Sequence, residues 1–268
     1  MRIDQGRGDS LLAHDRRTHD AGARQRVSDV DDAALGRRLE AIEQRQEALS
    51  RALHRVNARM ERRLYAQIEA LIGLYRDLDG LPSLPPLRRW ALGPDTAREI
   101  HSLVRLYGPR HVLECGSGAS TVMFGHLVLA GAVERVTAID HDPVYYELTR
   151  QRLRSAGLLD AVDLRLAPLV ERPVGSSSVL WYDVDVDGLE PIDLLLVDGP
   201  PAATAPQARA PALPLLQPVL SSGCLIVVDD YDREDEQAIV EQWRANYAVD
   251  FIRMNTDVER PFVVLEYD

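Results

Sequence analysis

The sequence of 268 residues contains no lysine, so all 31 of its lysine-or-arginine positions are arginines. This absence excludes lysine as a catalytic base. There are only two cysteines, Cys115 and Cys224, and both fall in predicted strands, which argues against a disulfide framework and predicts a reducing, cytoplasmic location. No apolar run approaches the length of a membrane span, and the first residues are too polar for a signal peptide.

Positive charge is scarce over most of the chain. The formal net charge is −11 at pH 7, and residues 81–268 hold 16 arginines against 28 acidic residues. A surface with this excess of negative charge repels a phosphate backbone. DNA and structured RNA are therefore poor substrate candidates, and we expect no nucleic-acid partner.

The first third of the chain predicts a disordered tail followed by one long helix. Residues 1–30 are polar without a sustained period, which predicts disorder. Residues 31–79 predict a helix whose apolar stripe advances in steps of three and four, the a/d spacing of a heptad repeat. The stripe comprises Leu35, Leu39, Ile42, Gln46, Leu49, Leu53, Val56 and Met60.

Two interpretations of this helix remain open. It is either a coiled coil that joins chains into a homo-oligomer or an amphipathic helix that lies on the catalytic domain. A phase slip follows Met60, after which the stripe continues at Leu64 and Ile68. The slip suggests a division, in which the first half pairs between chains and the second half packs on the domain.

The remainder of the chain predicts an α/β domain. Residues 80–94 are punctuated by prolines and predict a linker, and residues 95–268 predict alternating strands and helices. Strands are expected near 111–115, 135–140, 161–166, 193–198, 224–229, 250–254 and 261–267, and helices near 119–130, 143–156, 207–219 and 233–246. This alternation is typical of a doubly wound, mostly parallel sheet.

A glycine turn between a strand and a helix marks the predicted cofactor site. The strand runs into Glu114-Cys-Gly-Ser-Gly118, and the next apolar strand ends in Asp140. Gly116 and Gly118 let the backbone turn tightly and approach a ligand, because they have no Cβ. Asp140 falls where a carboxylate accepts hydrogen bonds from ribose hydroxyls. The segment therefore predicts a nucleoside-bearing cofactor at the carboxyl edge of the sheet.

Two residues distinguish between the cofactor classes that use this design. A dinucleotide site needs a third glycine, and Thr121 stands in that position. A carboxylate at Glu114 would repel a pyrophosphate but suits a ligand that carries a sulfonium or ammonium cation. The residues thus favour S-adenosylmethionine over NAD. The alternative is a glycine turn in an unrelated α/β protein, with Glu114 a solvated strand end.

This pattern resembles motif I of the class I S-adenosylmethionine-dependent methyltransferases, and the resemblance covers roughly residues 90–268. It implies a Rossmann-like, seven-stranded sheet that closes with an antiparallel C-terminal hairpin. It also implies a set of cofactor-binding residues, namely Glu114, Gly116, Ser117, Gly118, Ser120, Thr121, Asp140, His141, Ala167 and Asp198.

Three aspartates are predicted to meet at the ends of two neighbouring strands. Asp198 ends one strand, and Asp229 and Asp230 end the next. Three carboxylates at one point repel each other unless something positive joins them, and oxygen ligands favour Mg²⁺ or Mn²⁺. The sequence therefore predicts a divalent metal site. The alternative is that Asp229 and Asp230 are acids at the start of the following helix.

The aspartates also resemble the Mg²⁺ site of catechol-type and macrocin-type O-methyltransferases. The chain lacks the lysine of the first type, and it has Asp198-Gly-Pro200 where the second has Asp-Gly-Asp. It is more similar to a bacterial methyltransferase group with Glu-x-Gly-Ser-Gly-x-Ser-Thr, Asp-Gly-Pro-Pro and Asp-Asp blocks. That group's association with glycan and secondary-metabolite gene sets implies a sugar or small-molecule hydroxyl as the acceptor.

These residues lead to a specific expectation. We expect an S-adenosylmethionine-dependent O-methyltransferase, assisted by Mg²⁺ or Mn²⁺, in which Asp198 or Asp230 takes the proton of the acceptor hydroxyl. His141 is an alternative base, although a histidine there more often contacts adenine or faces solvent. Arg209 and Arg233 could clamp an anionic substrate group, or Arg233 could neutralise the acids around it. The alternative functions are a metal-independent N- or O-methyltransferase and a non-catalytic, oligomeric nucleoside-binding protein.

Overall fold

The computed structural model describes residues 9–78, 84–87, 91–255, 258 and 260–268. The chain divides into two compact units, Met1–Arg62 and Arg63–Asp268. The boundary falls two residues after Met60, close to the phase slip in the heptad pattern. No helix of the described residues is long and apolar enough to cross a membrane.

One long helix, α1, spans Asp9–Asp77. It starts inside the segment for which the sequence predicts a disordered tail, whereas residues 1–8 lie outside the described residues. The first proline of the chain is Pro82, so no proline breaks the helix before that point. In the first unit the apolar stripe is solvent-exposed: its members from Leu35 to Met60, Gln46 apart, are 53–71% exposed.

The last part of α1 belongs to the second unit and packs into it. Ala70, Leu74 and Leu78 are buried. Asp77 pairs with Arg98 of the following helix, with 3.3 Å between Oδ2 and Nε. The buried face is not the continued stripe, because Leu64 and Ile68 are 63% and 47% exposed.

The segment predicted as a linker also contributes to the core. Leu84 and Leu92 are both buried. Helix α2, Pro94–Tyr107, follows and ends at Gly108, whose φ of 59° lies in the left-handed region that favours glycine. The described part of this segment therefore includes residues of the core and is not a solvated linker throughout.

Nine strands and four further α-helices follow in the described residues. The strands are β1 His111–Cys115, β2 Arg135–Asp140, β3 Asp163–Leu166, β4 Leu169–Val174, β5 Ser177–Tyr182, β6 Ile192–Val197, β7 Leu220–Val228, β8 Val249–Asn255 and β9 Phe262–Tyr267. The helices are α3 Ala119–Leu129, α4 Pro143–Ser155, α5 Ala212–Leu216 and α6 Glu234–Asn246.

Seven of the strands form one sheet in the order β3-β2-β1-β6-β7-β9-β8. Strand β9 runs antiparallel to β7 and β8, and the other neighbours are parallel. This confirms the predicted Rossmann-like, doubly wound sheet with an antiparallel C-terminal hairpin. The order reverses between β1 and β6, and the carboxyl ends of strands at such a switch point form a ligand-binding crevice.

The central strands are apolar throughout because helices cover both faces of the sheet. In β6, Leu194 and Leu196 join the cluster formed with α2, α3 and α4, while Leu195 and Val197 join the cluster formed with α5 and α6. Strand side chains alternate between faces, so both sets are buried. The two cysteines are free and buried in this core.

Two features differ from the sequence-based expectations. A hairpin of β4 and β5 forms a separate two-stranded sheet, with Gly175 at a φ of 59° in its two-residue turn. The dipeptide Gly175-Ser176 is the hairpin signal in this part of the sequence. The helix predicted over 207–219 is confined to α5 and one 3-10 turn at Gln217–Val219, because Gln207 has a φ of 48° and Pro218 lacks an N–H donor.

Candidate active site

The carboxyl ends of four neighbouring strands meet at one edge of the sheet. Gly116 N, just after β1, donates to Ile139 O of β2 at 2.9 Å, and Asp198 N, just after β6, donates to Cys115 O at 3.0 Å. Asp229 N, just after β7, donates to Val197 O at 3.2 Å. The backbone therefore brings the glycine turn and the strand-end aspartates together, as the topology predicts.

The glycine turn brings two strand ends into close contact. Gly116 has a φ of 102°, which L side chains rarely adopt, and a Cβ there would lie 3.4 Å from the Asp198 carbonyl oxygen. Gly118 precedes α3, and its N–H donates to Thr121 Oγ1 at 2.8 Å. A Cβ on Gly118 would meet no atom within 4 Å, so Gly116 and Gly118 leave backbone without side chains on either side of Ser117.

Glu114 is buried, which excludes the alternative of a solvated strand end. Its two carboxylate oxygens accept hydrogen bonds from Ser120 Oγ and, at 2.6 Å, from Thr121 Oγ1. Burial raises the pKa of Glu114 to about 7, and the two hydroxyl donors oppose that shift. Ser120 and Thr121 therefore anchor the strand-end acid at the start of α3.

Asp140 ends β2 with a buried carboxylate. It accepts hydrogen bonds from Ser117 Oγ at 2.5 Å and from Asp142 N at 3.0 Å. Burial raises its pKa, and these hydrogen bonds act in the opposite direction. Its backbone carbonyl accepts a bond from Ala167 N at 2.8 Å, so the end of β3 also lies beside it.

His141 lies beside Asp140. Its Nδ1 is 3.7 Å from Asp140 Oδ1, and its ring packs edge-on against Tyr182 with 6.1 Å between the ring centroids. These contacts are with Asp140, the predicted ribose acceptor, and a residue of the hairpin. The position agrees with a cofactor-contacting histidine better than with a base among the three aspartates.

Asp198, Asp229 and Asp230 converge as predicted. Each can offer a carboxylate oxygen, and these three atoms lie within 4.8 Å of one another. Asp230 has a φ of 59°, an uncommon conformation for a residue with a Cβ. Both carboxylate oxygens of Asp229 are buried, and no described residue forms a hydrogen bond with them.

Arg209 provides the positive charge at the centre of this cluster. The residue is 3% exposed. Its guanidinium donates to Asp229 O at 2.8 Å, to Asp230 Oδ2 at 3.0 Å and to Asp198 Oδ1 at 3.3 Å. Glu236 Oε1 lies 3.5 Å from the same group. Arginine suits this position because its planar fork can bond several oxygens at once.

This arrangement corrects the expectation for Arg209 and favours one of the two roles expected for Arg233. Arg209 is occupied by protein oxygens and is not available to clamp an anionic substrate. Arg233 lies 2.9 Å from Asp230 Oδ2 and 3.7 Å from Glu236 Oε1, which agrees with its alternative role of neutralising the acids. A metal is therefore not required to join Asp198 and Asp230, although Asp229 lacks a side-chain donor in the described part of the chain.

The pKa shifts of Asp198 and Asp229 differ because Arg209 bonds to the carboxylate of Asp198 but not to that of Asp229. Burial raises the pKa of Asp198 to about 6, while the Arg209 charge opposes the shift. The pKa of Asp229 is raised well above its ordinary value, first by burial and then by the charges of Asp198 and Asp230. Asp229 is thus the carboxyl group most in need of a proton or a cation.

Tyr182, at the end of β5, is a site residue that the sequence analysis missed. Its side chain is buried, and its hydroxyl forms no hydrogen bond with the described residues. A Cβ on Gly199 would collide with that hydroxyl and would lie 3.3 Å from Cys115 O and Gly116 N. Tyr182 therefore closes the β1–β6 crevice from the hairpin side, and Gly199 leaves the space that it fills.

The residues at the crevice fit both groups that the sequence predicts. Asp140 offers acceptor oxygens at the end of β2, and the two glycines of the turn would let an elongated ligand approach the backbone. The unpartnered oxygens of Asp229, close to Asp198 and Asp230, are hard donors of the type that Mg²⁺ and Mn²⁺ prefer.

Comparison with known proteins agrees with this geometry. A family model described as a methyltransferase domain matches residues 113–231. The match covers less than half of the chain. Glu114, the glycine turn, Asp140, Asp198 and the Asp229–Asp230 pair all lie within it. Methyl transfer from S-adenosylmethionine is the class of reaction that this domain serves.

Solved structures share the fold of the methyltransferase domain at low sequence identity. An O-methyltransferase from Bacillus cereus, in complex with SAH, aligns with a TM-score of 0.51 and 16% identity over 75% of this chain and 91% of its own. An SAH-bound methyltransferase from Podospora anserina aligns with a TM-score of 0.51 and 14% identity over 73% of this chain and 87% of its own. The search of curated proteins found no match.

Proposed function

We propose that this chain is an S-adenosylmethionine-dependent O-methyltransferase, assisted by Mg²⁺ or Mn²⁺, that methylates a hydroxyl of a sugar, a glycan or a small secondary metabolite. The observation that carries the proposal is the convergence of three strand-end aspartates beside a glycine turn of the cofactor-binding type. Asp229, buried and without a hydrogen-bond partner among the described side chains, supports the metal.

The cofactor-binding role falls to the residues along β1 and β2. S-adenosylmethionine, when bound, supplies a methyl group on a sulfonium cation. Asp140 would accept bonds from the ribose hydroxyls, and the turn from Gly116 to Gly118 would leave room for the backbone to approach. The carboxyl groups of Asp198 and Glu114 offer no positive charge to a pyrophosphate and, when ionised, favour a cationic ligand.

The three aspartates would activate the acceptor hydroxyl. A divalent cation held by Asp198, Asp229 and Asp230 supplies Lewis acidity at neutral pH. Without a metal, burial raises the pKa of Asp198 to about 6, and a cation bound beside it would lower that pKa and keep the carboxylate ionised. The ionised carboxylate could then take a proton from a neighbouring hydroxyl. The negative charge of residues 81–268 favours a neutral acceptor over an anionic one.

A metal-independent methyltransferase is the second candidate, and Arg209 is the observation that favours it. Its guanidinium already compensates Asp198 and Asp230. If Asp229 carries a proton, as its raised pKa permits, the cluster needs no further cation. Dependence of turnover on Mg²⁺ or Mn²⁺ distinguishes the two candidates.

Calorimetric titration tests the cofactor, which both candidates require. We expect S-adenosylhomocysteine to bind with micromolar affinity and NAD not to bind. Asp140→Ala should weaken binding by about 1–3 kcal/mol, because bonds to the ribose are lost. Asp160→Ala, at an exposed position before β3, is the matched control and should bind like the wild type. Binding of NAD without S-adenosylhomocysteine, or equal affinity of both variants, would overturn the assignment.

A further inference from the structure

An exposed apolar stripe runs along the part of α1 that lies in the first unit. Its eight layers are Leu35, Leu39, Ile42, Gln46, Leu49, Leu53, Val56 and Met60. The seven apolar members are at least half exposed, and Leu49 reaches 71%. Burial of such side chains is worth on the order of 25 cal/mol for each Å² removed from water, so the stripe favours a partner.

The geometry of the stripe selects a second helix as that partner. The layers alternate in steps of four and three over residues 35–60, which gives a mean repeat of 3.5 residues. A repeat of 3.5 keeps a seam continuous only when two or more helices supercoil around each other. At 1.5 Å per residue the seam is roughly 38 Å long, and it spans nearly four heptads. Charged residues flank it closely, so the apolar face is too narrow for a membrane surface.

We infer that this stripe binds a second copy of the same chain in a parallel, in-register, two-stranded coiled coil. Heptad positions follow from the layers: Leu39, Gln46, Leu53 and Met60 occupy a, and Leu35, Ile42, Leu49 and Val56 occupy d. The flanking g positions then hold Arg38, Arg45 and Arg59, and an e position holds Glu43.

The flanking charges set the direction of the two helices. In a parallel pair, a g residue faces the e residue five positions later on the other copy. Arg38 therefore faces Glu43 of the second copy, and symmetry creates this pair twice. In the fully overlapped antiparallel arrangement the g positions face each other, and Arg38 would meet Arg59. Opposite charges across the seam stabilise the parallel pair, and like charges destabilise the alternative.

Gln46 sets the register. In a parallel, in-register pair it lies opposite Gln46 of the second copy, where each amide can donate to and accept from the other. In the overlapped antiparallel pair it would lie against Leu49, which offers no hydrogen bond and leaves a buried amide unsatisfied. A single polar residue at an a position specifies register in this way at some cost in stability.

Oxidative cross-linking of the full chain tests the register with a matched pair of variants. Gln46→Cys places a thiol in the seam, whereas Gln44→Cys places one at an outward f position two residues away. The native Cys115 and Cys224 are buried and do not compete. We expect most of the Gln46→Cys protein, and little of the Gln44→Cys protein, to migrate as a disulfide-linked dimer without reductant. No dimer for Gln46→Cys, or equal amounts for both variants, would overturn the inference.

Light scattering and charge exchange test the stoichiometry and the charge pairs. The wild-type chain should have the mass of two chains, and a mass of one or three chains would refute the proposal. Glu43→Arg should raise the dissociation constant about 5- to 30-fold, because two attractive pairs become repulsive. The double variant Arg38→Glu, Glu43→Arg restores opposite charges between positions 38 and 43 in the parallel register. In the antiparallel arrangement a glutamate at position 38 would also face Arg59, so the direction is decided by the Gln46→Cys cross-link. The double variant should recover near-wild-type affinity, and failure to recover would rule out the parallel register.

Discussion

Replacement of Arg209 by methionine tests whether the buried guanidinium holds the acidic cluster together. The guanidinium contacts three residues that end β6 or follow β7, at 2.8 Å from Asp229 O, 3.0 Å from Asp230 Oδ2 and 3.3 Å from Asp198 Oδ1. Methionine fills a similar length of space but carries no charge and no donor. The substitution therefore leaves the carboxylates buried without their main cation.

The expected magnitude follows from that loss. Removal of one partner from a buried ion pair costs about 3–5 kcal/mol, because the charge that remains is uncompensated. For a domain of this size, that corresponds to a fall in Tm of roughly 6–20 °C. Arg110→Met is the control, because Arg110 is 71% exposed and lies 4.0 Å from Asp193. Replacement of Arg110 should lower the free energy of unfolding by less than about 1 kcal/mol.

Urea denaturation at pH 7.5 and pH 5.5 measures the effect and its sign. Asp198 has a pKa of about 6 in the folded protein, above its ordinary value, so folding is favoured as pH falls through that value. Loss of Arg209 raises this pKa further, so between pH 7.5 and pH 5.5 the folded variant holds more bound protons than the folded wild type and its unfolding free energy rises more as the pH falls. The difference in unfolding free energy between the wild type and Arg209→Met should therefore be smaller at pH 5.5 than at pH 7.5. A deficit like that of Arg110→Met, or one that widens in acid, would refute the role given to Arg209.

Two further predictions concern the metal and Glu114. Methyl transfer should stop in excess chelator and return with Mg²⁺ or Mn²⁺, and Asp229→Asn should lose activity about 10- to 100-fold; full turnover in chelator would instead support the metal-independent candidate. Glu114→Gln should flatten the pH dependence of the unfolding free energy. Because burial raises the pKa of Glu114 from 4.5 to about 7, the wild type should lose up to roughly 3 kcal/mol as pH rises through that window. An unchanged dependence in urea titrations at pH 5, 6.5 and 8 would contradict this.

The sheet and the cofactor edge could be predicted because their signals are local. Continuous apolar runs marked β1, β2, β6 and β7, since strands covered on both faces need apolar residues at every position. The glycine turn was visible because Gly116 adopts a backbone conformation that few other residues tolerate. Once the strands were known, the parallel topology alone placed Asp140, Asp198 and Asp229 at one edge.

The partners of these carboxylates could not be predicted in the same way. The hydroxyls of Ser120 and Thr121 lie six and seven residues after Glu114, and only the turn into α3 brings them back to it. Tyr182 reaches the crevice through a hairpin that stands outside the main sheet order. Such contacts depend on the path of connections, which neither periodicity nor strand order determines.

Arg209 shows how a contact that the sequence does not predict changes the expected chemistry of the aspartate cluster. Sequence reasoning concluded correctly that three adjacent carboxylates require a positive charge, and it assigned that charge to a metal. The irregular segment between β6 and α5 instead brings a guanidinium to Asp198 and Asp230, and leaves Asp229 without a donor among the described side chains. The number of carboxylates therefore does not decide the need for a cation. The decisive group is Asp229, because a proton and a divalent ion are alternative ways to satisfy it, and only the ion would make turnover depend on metal.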